Sequence, residues 1–174
     1  MGLDPQVCAA VWVHPTLLLL PDAPRAAADW TLHACAEGGI HPDRREPVPW
    51  RQIPLSVVPG PLPPDVLAAH PHLAAATALR LPADADPAAL AAGQLALIGR
   101  DPRGRVVAAT GVQIGPLLDA LHPDPAAPGV SWRDGVPRLR LWAPTARAVA
   151  VLLWLPGAGD QPRRPPGGQH HQRG

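Results

Sequence analysis

The sequence predicts a mainly β protein. A β-sandwich-like N-terminal domain with one short helix spans residues 1–122, and a Pro/Gly-rich linker follows over 123–137. The first strands of an incomplete second β-module occupy 138–155, and a disordered tail fills 156–174. Three observations predict this. Short apolar runs recur, each closed by Pro, Gly or Asp, as strands joined by turns require. The chain holds 26 Pro and 16 Gly in 174 residues, which leaves little room for long helices. At 47% apolar and 17% charged residues it is nevertheless rich enough to bury a core.

The elements follow in order. Ala9-Ala10-Val11-Trp12-Val13 and Leu17-Leu18-Leu19-Leu20 read as two short strands joined through His14-Pro15-Thr16. Trp30-Thr31-Leu32-His33-Ala34-Cys35 alternates as a third strand, ended by Glu37-Gly38-Gly39. Prolines recur from His41 to Pro64, so Ile53-Pro54-Leu55-Ser56-Val57-Val58 reads as an edge strand at best. The one helix lies at Asp86-Pro87-Ala88-Ala89-Leu90-Ala91-Ala92-Gly93. Asp86 caps it, Pro87 fits its first position, and Gly93 supplies a left-handed residue to end it. Residues 94–98 and 106–110 form a hairpin across Asp101-Pro102-Arg103-Gly104, and Val112-Gln113-Ile114 continues the alternation. Residues 117–121 close the unit as a strand or short turn. Past the Pro/Ala-rich spacer, Arg138-Leu139-Arg140-Leu141-Trp142 reads as a half-buried strand, and residues 149–155 as a second, more deeply buried one.

Charge and motifs exclude several function classes. A formal net charge of +1 gives no electrostatic footprint for nucleic acid, and no membrane contact is expected. The apolar run at Leu17–Leu20 is far too short to span a bilayer. The opening Met1-Gly2-Leu3-Asp4-Pro5 has no basic or apolar leader features, so the chain as written reads as cytoplasmic. Cys8 and Cys35 allow one bridge at most, and either two buried thiols or a cross-strand disulfide fits. His70-Pro71-His72 places two imidazoles on one side of an extended segment without a convincing third ligand, and His170-His171 lie in the tail, so no metal site is expected. Ser56 and Ser131 are the only serines, and neither sits on a nucleophile elbow. No Gly-rich loop links strand to helix, and the acids cluster in turns, so neither a cofactor nor a catalytic residue is assigned.

Lys, Asn, Phe and Tyr are absent, which implies a GC-rich source, and the six tryptophans are the only aromatic residues of the Phe/Trp/Tyr class. Indole faces stack on sugar rings, but with no Phe or Tyr they must also fill core space. Trp12, Trp142 and Trp154, flanked by aliphatics, read as core. Trp50 and Trp132, in polar or Pro-rich surroundings, are the better candidates for exposure and for carbohydrate contact.

Leu139-Arg140-Leu141-Trp142-Ala143-Pro144-Thr145-Ala146, followed by a Val-rich run, resembles the start of the isoamylase-type β-sandwich (carbohydrate-binding module family 48). Upstream, Val11-Trp12-Val13, Leu17 to Pro21, Trp30-Thr31-Leu32-His33, Pro71-His72-Leu73 and Leu79-Arg80-Leu81-Pro82 resemble the bacterial pullulanase and limit-dextrinase family in order and spacing. So does Val112-Gln113-Ile114-Gly115-Pro116-Leu117-Leu118-Asp119. The resemblance covers residues 9 to 155 and departs from the family in lacking Trp before Pro21. It implies a non-catalytic N-terminal part of an α-1,6-glucosidase acting on starch, glycogen or pullulan, with α-glucan as its partner and weak or no affinity alone. The alternative is a free-standing glycan-binding or protein-interaction β-module. The catalytic barrel of such enzymes needs a carboxylate pair flanking the scissile bond, and no residue here matches it. The resemblance stops at Leu155, which suggests a truncated or frameshifted gene. Self-association through unpaired strands is expected, because an isolated strand pair is marginal in water.

Overall fold

The computed structural model describes residues 9–40, 50–123 and 128–152. Seven strands close into a barrel-like sandwich in the order β1-β2-β5-β4-β3-β6-β7. They are β1 (Ala10–His14), β2 (Leu17–Leu20), β3 (Asp29–Cys35), β4 (Arg51–Val58), β5 (Thr77–Arg80), β6 (Gln94–Arg100) and β7 (Val106–Gln113). The mainly β architecture is therefore as the sequence predicts. All neighbours are antiparallel except the closing pair, where β1 runs parallel to β7 through Ala10↔Val112 and Val11↔Gln113.

The unbroken Leu17–Leu20 run is explained by burial on both faces of the sheet. Leu18 and Leu20 point into the main core with Trp12, Leu32, Leu79 and Leu97. Leu17 and Leu19 pack outward with Val11 and Val13 under Val66 of α1 (Pro64–Ala69) and Leu73 of a short 3₁₀ turn (Pro71–Leu73). β6 repeats the arrangement. Leu95 and Leu97 face the main core, while Ala96 and Ile98 join Cys35, Ile40 and Ala109 in a third apolar cluster on the outer side. Each fully buried aliphatic side chain contributes about 1.5–3 kcal/mol, so this two-sided burial compensates for the small size of the strands.

Several elements differ from the sequence reading. Three short α-helices form among the described residues, not one: α1, α2 (Pro87–Ala91) and α3 (Gly115–Leu121). Both extra helices carry proline in the first turn, where its missing N–H costs nothing. Residues 117–121 are thus helical, and they turn Leu117 and Leu118 into the core. β4 is not an edge strand, since it pairs with β3 over residues 51–55 and with β5 over 56–58. Pro54 falls opposite Thr31, before β5 begins to pair, so the proline occupies a stretch with a single neighbour. Asp86 caps α2 as expected, accepting from the Ala89 amide at 3.1 Å. Gly93, however, is not among the glycines with positive φ. A Cβ there would lie 2.6 Å from the Cys35 carbonyl oxygen, so close backbone approach is what requires glycine.

The second unit also differs. Gly129–Arg133 (β8), expected within the linker, pairs with β9 (Val136–Arg140). Asp134 at φ 52° and Gly135 at φ 76° join them, the two left-handed residues a type I′ hairpin turn demands. This two-residue loop closes β8 onto β9 locally, and residues 149–152 form no strand. Trp142 is 38% exposed and lies outside any strand, instead of in a core. Trp154, Cys8 and the tail lie outside the described residues.

Gly99 faces Trp30 across the β3–β6 pair, and a Cβ there would stand 2.7 Å from the indole ring. Gly99→Ala is expected to displace Trp30 and destabilise the barrel by about 1–3 kcal/mol in denaturant titration. An unchanged midpoint would show that the indole has room to move.

Candidate functional site

The two tryptophans proposed for sugar contact sit on different elements. Trp132 projects from β8 and is 69% exposed. The hairpin register puts Val130 opposite Leu139 and Trp132 opposite Pro137, so these four side chains share one apolar face. Gly129, Ser131, Arg133, Val136, Arg138 and Arg140 take the other. Trp132 therefore presents an open indole on a small apolar platform. Such a surface can stack against the apolar face of a pyranose ring.

Trp50, at the entry to β4, is half-buried instead of exposed. It packs against the outer apolar cluster of Cys35, Ile40, Ala96 and Ile98, and its ring tilts 54° to that of His33 with centroids 6.1 Å apart. Its Nε1 is buried without a hydrogen-bond partner. The polar and proline-rich neighbours of Trp50 in sequence gave no sign of this apolar patch, which is assembled from β3, β6 and β7.

His33 is the functional-type residue that sequence reading passed over. It is 5% exposed and its Nδ1 has no hydrogen-bond partner. Burial, and then the positive charge of Arg100, hold its pKa below the ordinary imidazole value. Strand alternation alone puts it on the outer face of β3. Only the tertiary arrangement buries that face.

Asp101 has a structural task. Its carboxylate accepts from the Arg103 and Arg105 amides, each at 2.9 Å, and pairs with the Arg105 guanidinium at 2.7 Å, fixing the β6–β7 turn. The Arg105 amide is the largest influence holding its pKa below the usual carboxylate range, with the Arg105 side chain adding to it against the opposing effect of desolvation. Near the end of β3 a cavity of about 220 Å³ opens beside α2, lined by Cys35, Arg51, Leu90, Gly93 and Arg147. Cys35 is a free buried thiol. His70 ends α1 and His72 lies in the 3₁₀ turn, not in an extended segment, with their rings edge-on and 6.2 Å apart. Among the described residues no group of three or more His, Cys, Asp or Glu is placed to hold a metal ion.

The family model for the Pullulanase N2 domain matches residues 8–120, the whole of the closed barrel and all but the last residue of α3. The chain belongs to this pullulanase domain family. It is 35% identical over 103 residues to Pullulanase 1, chloroplastic, of Arabidopsis thaliana, a match covering 59% of this chain and 11% of that protein. It is 31% identical over 103 residues to the pullulanase of Klebsiella pneumoniae, covering 58% of this chain and 9% of the relative. The chain thus spans about a tenth of these curated relatives. The solved structure of PulA from Klebsiella oxytoca superposes with a TM-score of 0.72 at 26% identity, over 86% of this chain and 14% of that one. The maltotriose complex of Klebsiella pneumoniae PulA gives 0.68 at 26% identity, over 83% and 16%. The structural likeness runs over more of the chain than the family model does.

Within this pullulanase N2 barrel the two shifted groups act in separate pH windows. His33 resists protonation when folded but not when unfolded, so stability falls as pH drops below about 6.5 toward its lowered folded value. The contribution of Asp101 is present above about 4 and is lost only as pH falls through its lowered folded value. Thermal melts of His33→Gln should lose less stability than the parent between pH 7 and 5. Asp101→Asn should differ from the parent by a constant amount across that window and converge with it only in stronger acid. A parent whose stability is flat from pH 7 to 5 would contradict the first.

Proposed function

We propose that the chain acts as the non-catalytic N-terminal part of a pullulanase-type α-1,6-glucosidase acting on branched α-glucan such as starch, glycogen or pullulan. The match of residues 8–120 to the Pullulanase N2 domain is the observation that carries this reading. The carboxylates with identified partners support it, because they hold structure. Asp101 fixes a turn, Asp86 caps α2 and Glu37 pairs with Arg147. In this reading residues 1–122 are the barrel domain, 123–137 the connection, 138–155 the opening of a second β-module and 156–174 a tail. β8, which begins at Gly129, falls within the stretch this reading assigns to the connection. Any α-glucan contact is weak and made through Trp132, with Trp50 secondary because its ring is half-covered.

Affinity electrophoresis through gels containing starch or pullulan tests this. Slight retardation that disappears in Trp132→Ala is the expected result, together with no release of reducing ends from branched glucan. Release of reducing ends by purified chain overturns the non-catalytic reading. Strong retardation favours the alternative of an independent glycan-binding or protein-interaction β-module, a reading that the 69% exposure of Trp132 supports.

The partly bare hairpin also supports self-association as a property of the isolated chain. Val130 and Leu139 are 64% and 58% exposed on the same apolar face as Trp132. Sedimentation velocity should show a concentration-dependent rise in average mass that Val130→Ser with Leu139→Ser abolishes. A monomer at every concentration would remove this proposal.

A further inference from the structure

The turn that follows β3 is braced from below more heavily than its position at the surface demands. The Cys35 thiol donates to the Gly38 carbonyl at 3.0 Å, and the Gly38 amide returns to the Cys35 carbonyl at 3.4 Å. Gly38 and Gly39 take φ values of 78° and 82°, which side chains disfavour. The Ile40 amide donates to Gln94 Oε1 at 3.1 Å, and Ile40 itself is 2% exposed in the outer apolar cluster. From the other side Gly93 lies so close that a Cβ on it would stand 3.2 Å from Ala36 Cα. Ala36, Glu37 and Gly39 are exposed at the crest of the turn, between the anchored Cys35 and Ile40.

Arg147, more than a hundred residues later, meets that crest. Its Nη1 donates to Glu37 Oε1 at 3.1 Å and its Nη2 to the Ala36 carbonyl oxygen. One guanidinium thus spans a carboxylate and a backbone carbonyl, a fork that Lys could not reproduce. The same segment is tied at a second point, where Trp142 Nε1 donates to the carbonyl of His122, the residue capping α3, at 3.4 Å. Between the two ties the Ala146 amide closes a turn on the Ala143 carbonyl at 3.1 Å.

We propose that the turn at residues 36–40 is a built receptor for Arg147, a clasp that fixes the orientation of the β8–β9 unit and the segment after it against the barrel. This goes beyond the functional reading above and stands whichever version of it holds. An exposed ion pair adds little to global stability, so loss of the clasp leaves barrel folding unchanged. Preorganisation of the acceptor is what makes a single arginine sufficient, since no loop has to be ordered when it docks.

The test is ¹⁵N relaxation on the full chain. In the parent, the amides of β8 and β9 should share the rotational correlation time of β3 and β6. In Arg147→Ala and Arg147→Lys that shared tumbling should be lost, while barrel shifts and amide exchange stay as in the parent. Glu37→Gln, which keeps an acceptor oxygen, should retain more of it than Glu37→Ala. Independent tumbling in the parent overturns the proposal, and so does unchanged joint tumbling in Arg147→Ala.

Discussion

The barrel depends on a seam only two residue pairs long. β1 and β7 meet through Ala10↔Val112 and Val11↔Gln113, in parallel, and this is where the first and last barrel strands join. A parallel pair cannot be made by a hairpin, so the seam forms only when the whole intervening chain has been wound. Two reinforcements make so short a contact sufficient. The Ala9 amide donates to Thr110 Oγ1 at 2.9 Å just before the seam, and α3 turns directly after β7 to lay Leu117, fully buried, into the core. Closure removes the exposed edges that strands of this apolarity would otherwise present, which is why Leu17–Leu20 can remain an unbroken run of leucines. Most of the contacts it unites are distant in sequence, so folding must commit to loop closure before the core rewards it.

Most of the strands were legible because their sequence marks are local. β3 alternates, β6 and β7 flank a Pro/Gly turn, and the cap of α2 is written in Asp86-Pro87. What escaped had its cause in tertiary structure. Pro54 looked like the mark of an edge because nothing local shows that β4 changes partners immediately after it. Gly93 looked like a helix terminator, whereas its requirement is the carbonyl of Cys35, far away in sequence. Two misses were avoidable. Asp134-Gly135 between alternating segments is among the strongest short hairpin signals, and proline just inside α1 and α3 marks the start of a helix.

The candidate site was less legible than the fold, for a compositional reason. With neither Phe nor Tyr in the chain, indole has to serve as core filler, and its presence says little about ligands. Trp12 and Trp30, at 0% and 4% exposure, serve the core in full. Trp30 does so only because Gly99 opposite has no side chain, so one glycine in β6 sets the volume available to the largest residue in β3. Trp50 is drawn inward by the outer apolar cluster, whose residues are scattered over four parts of the chain. Trp132 alone of these four keeps its face open, because its hairpin has no layer beneath it among the described residues.

That contrast locates the molecule's unfinished chemistry. The barrel buries both faces of its central strands, while Asp101 fixes a turn and Asp86 caps a helix. The β8–β9 hairpin has Val130, Trp132, Pro137 and Leu139 on one side, and three arginines with Ser131 and the exposed Val136 on the other. A two-stranded sheet has too little internal burial to account for such a division by itself. The clasp at Arg147 matters because a unit with so little burial of its own takes its angle to the barrel from the contacts that tie it there. A turn on the barrel, anchored at both ends by Cys35 and Ile40 in the outer apolar cluster, provides that angle at the cost of ordering one side chain.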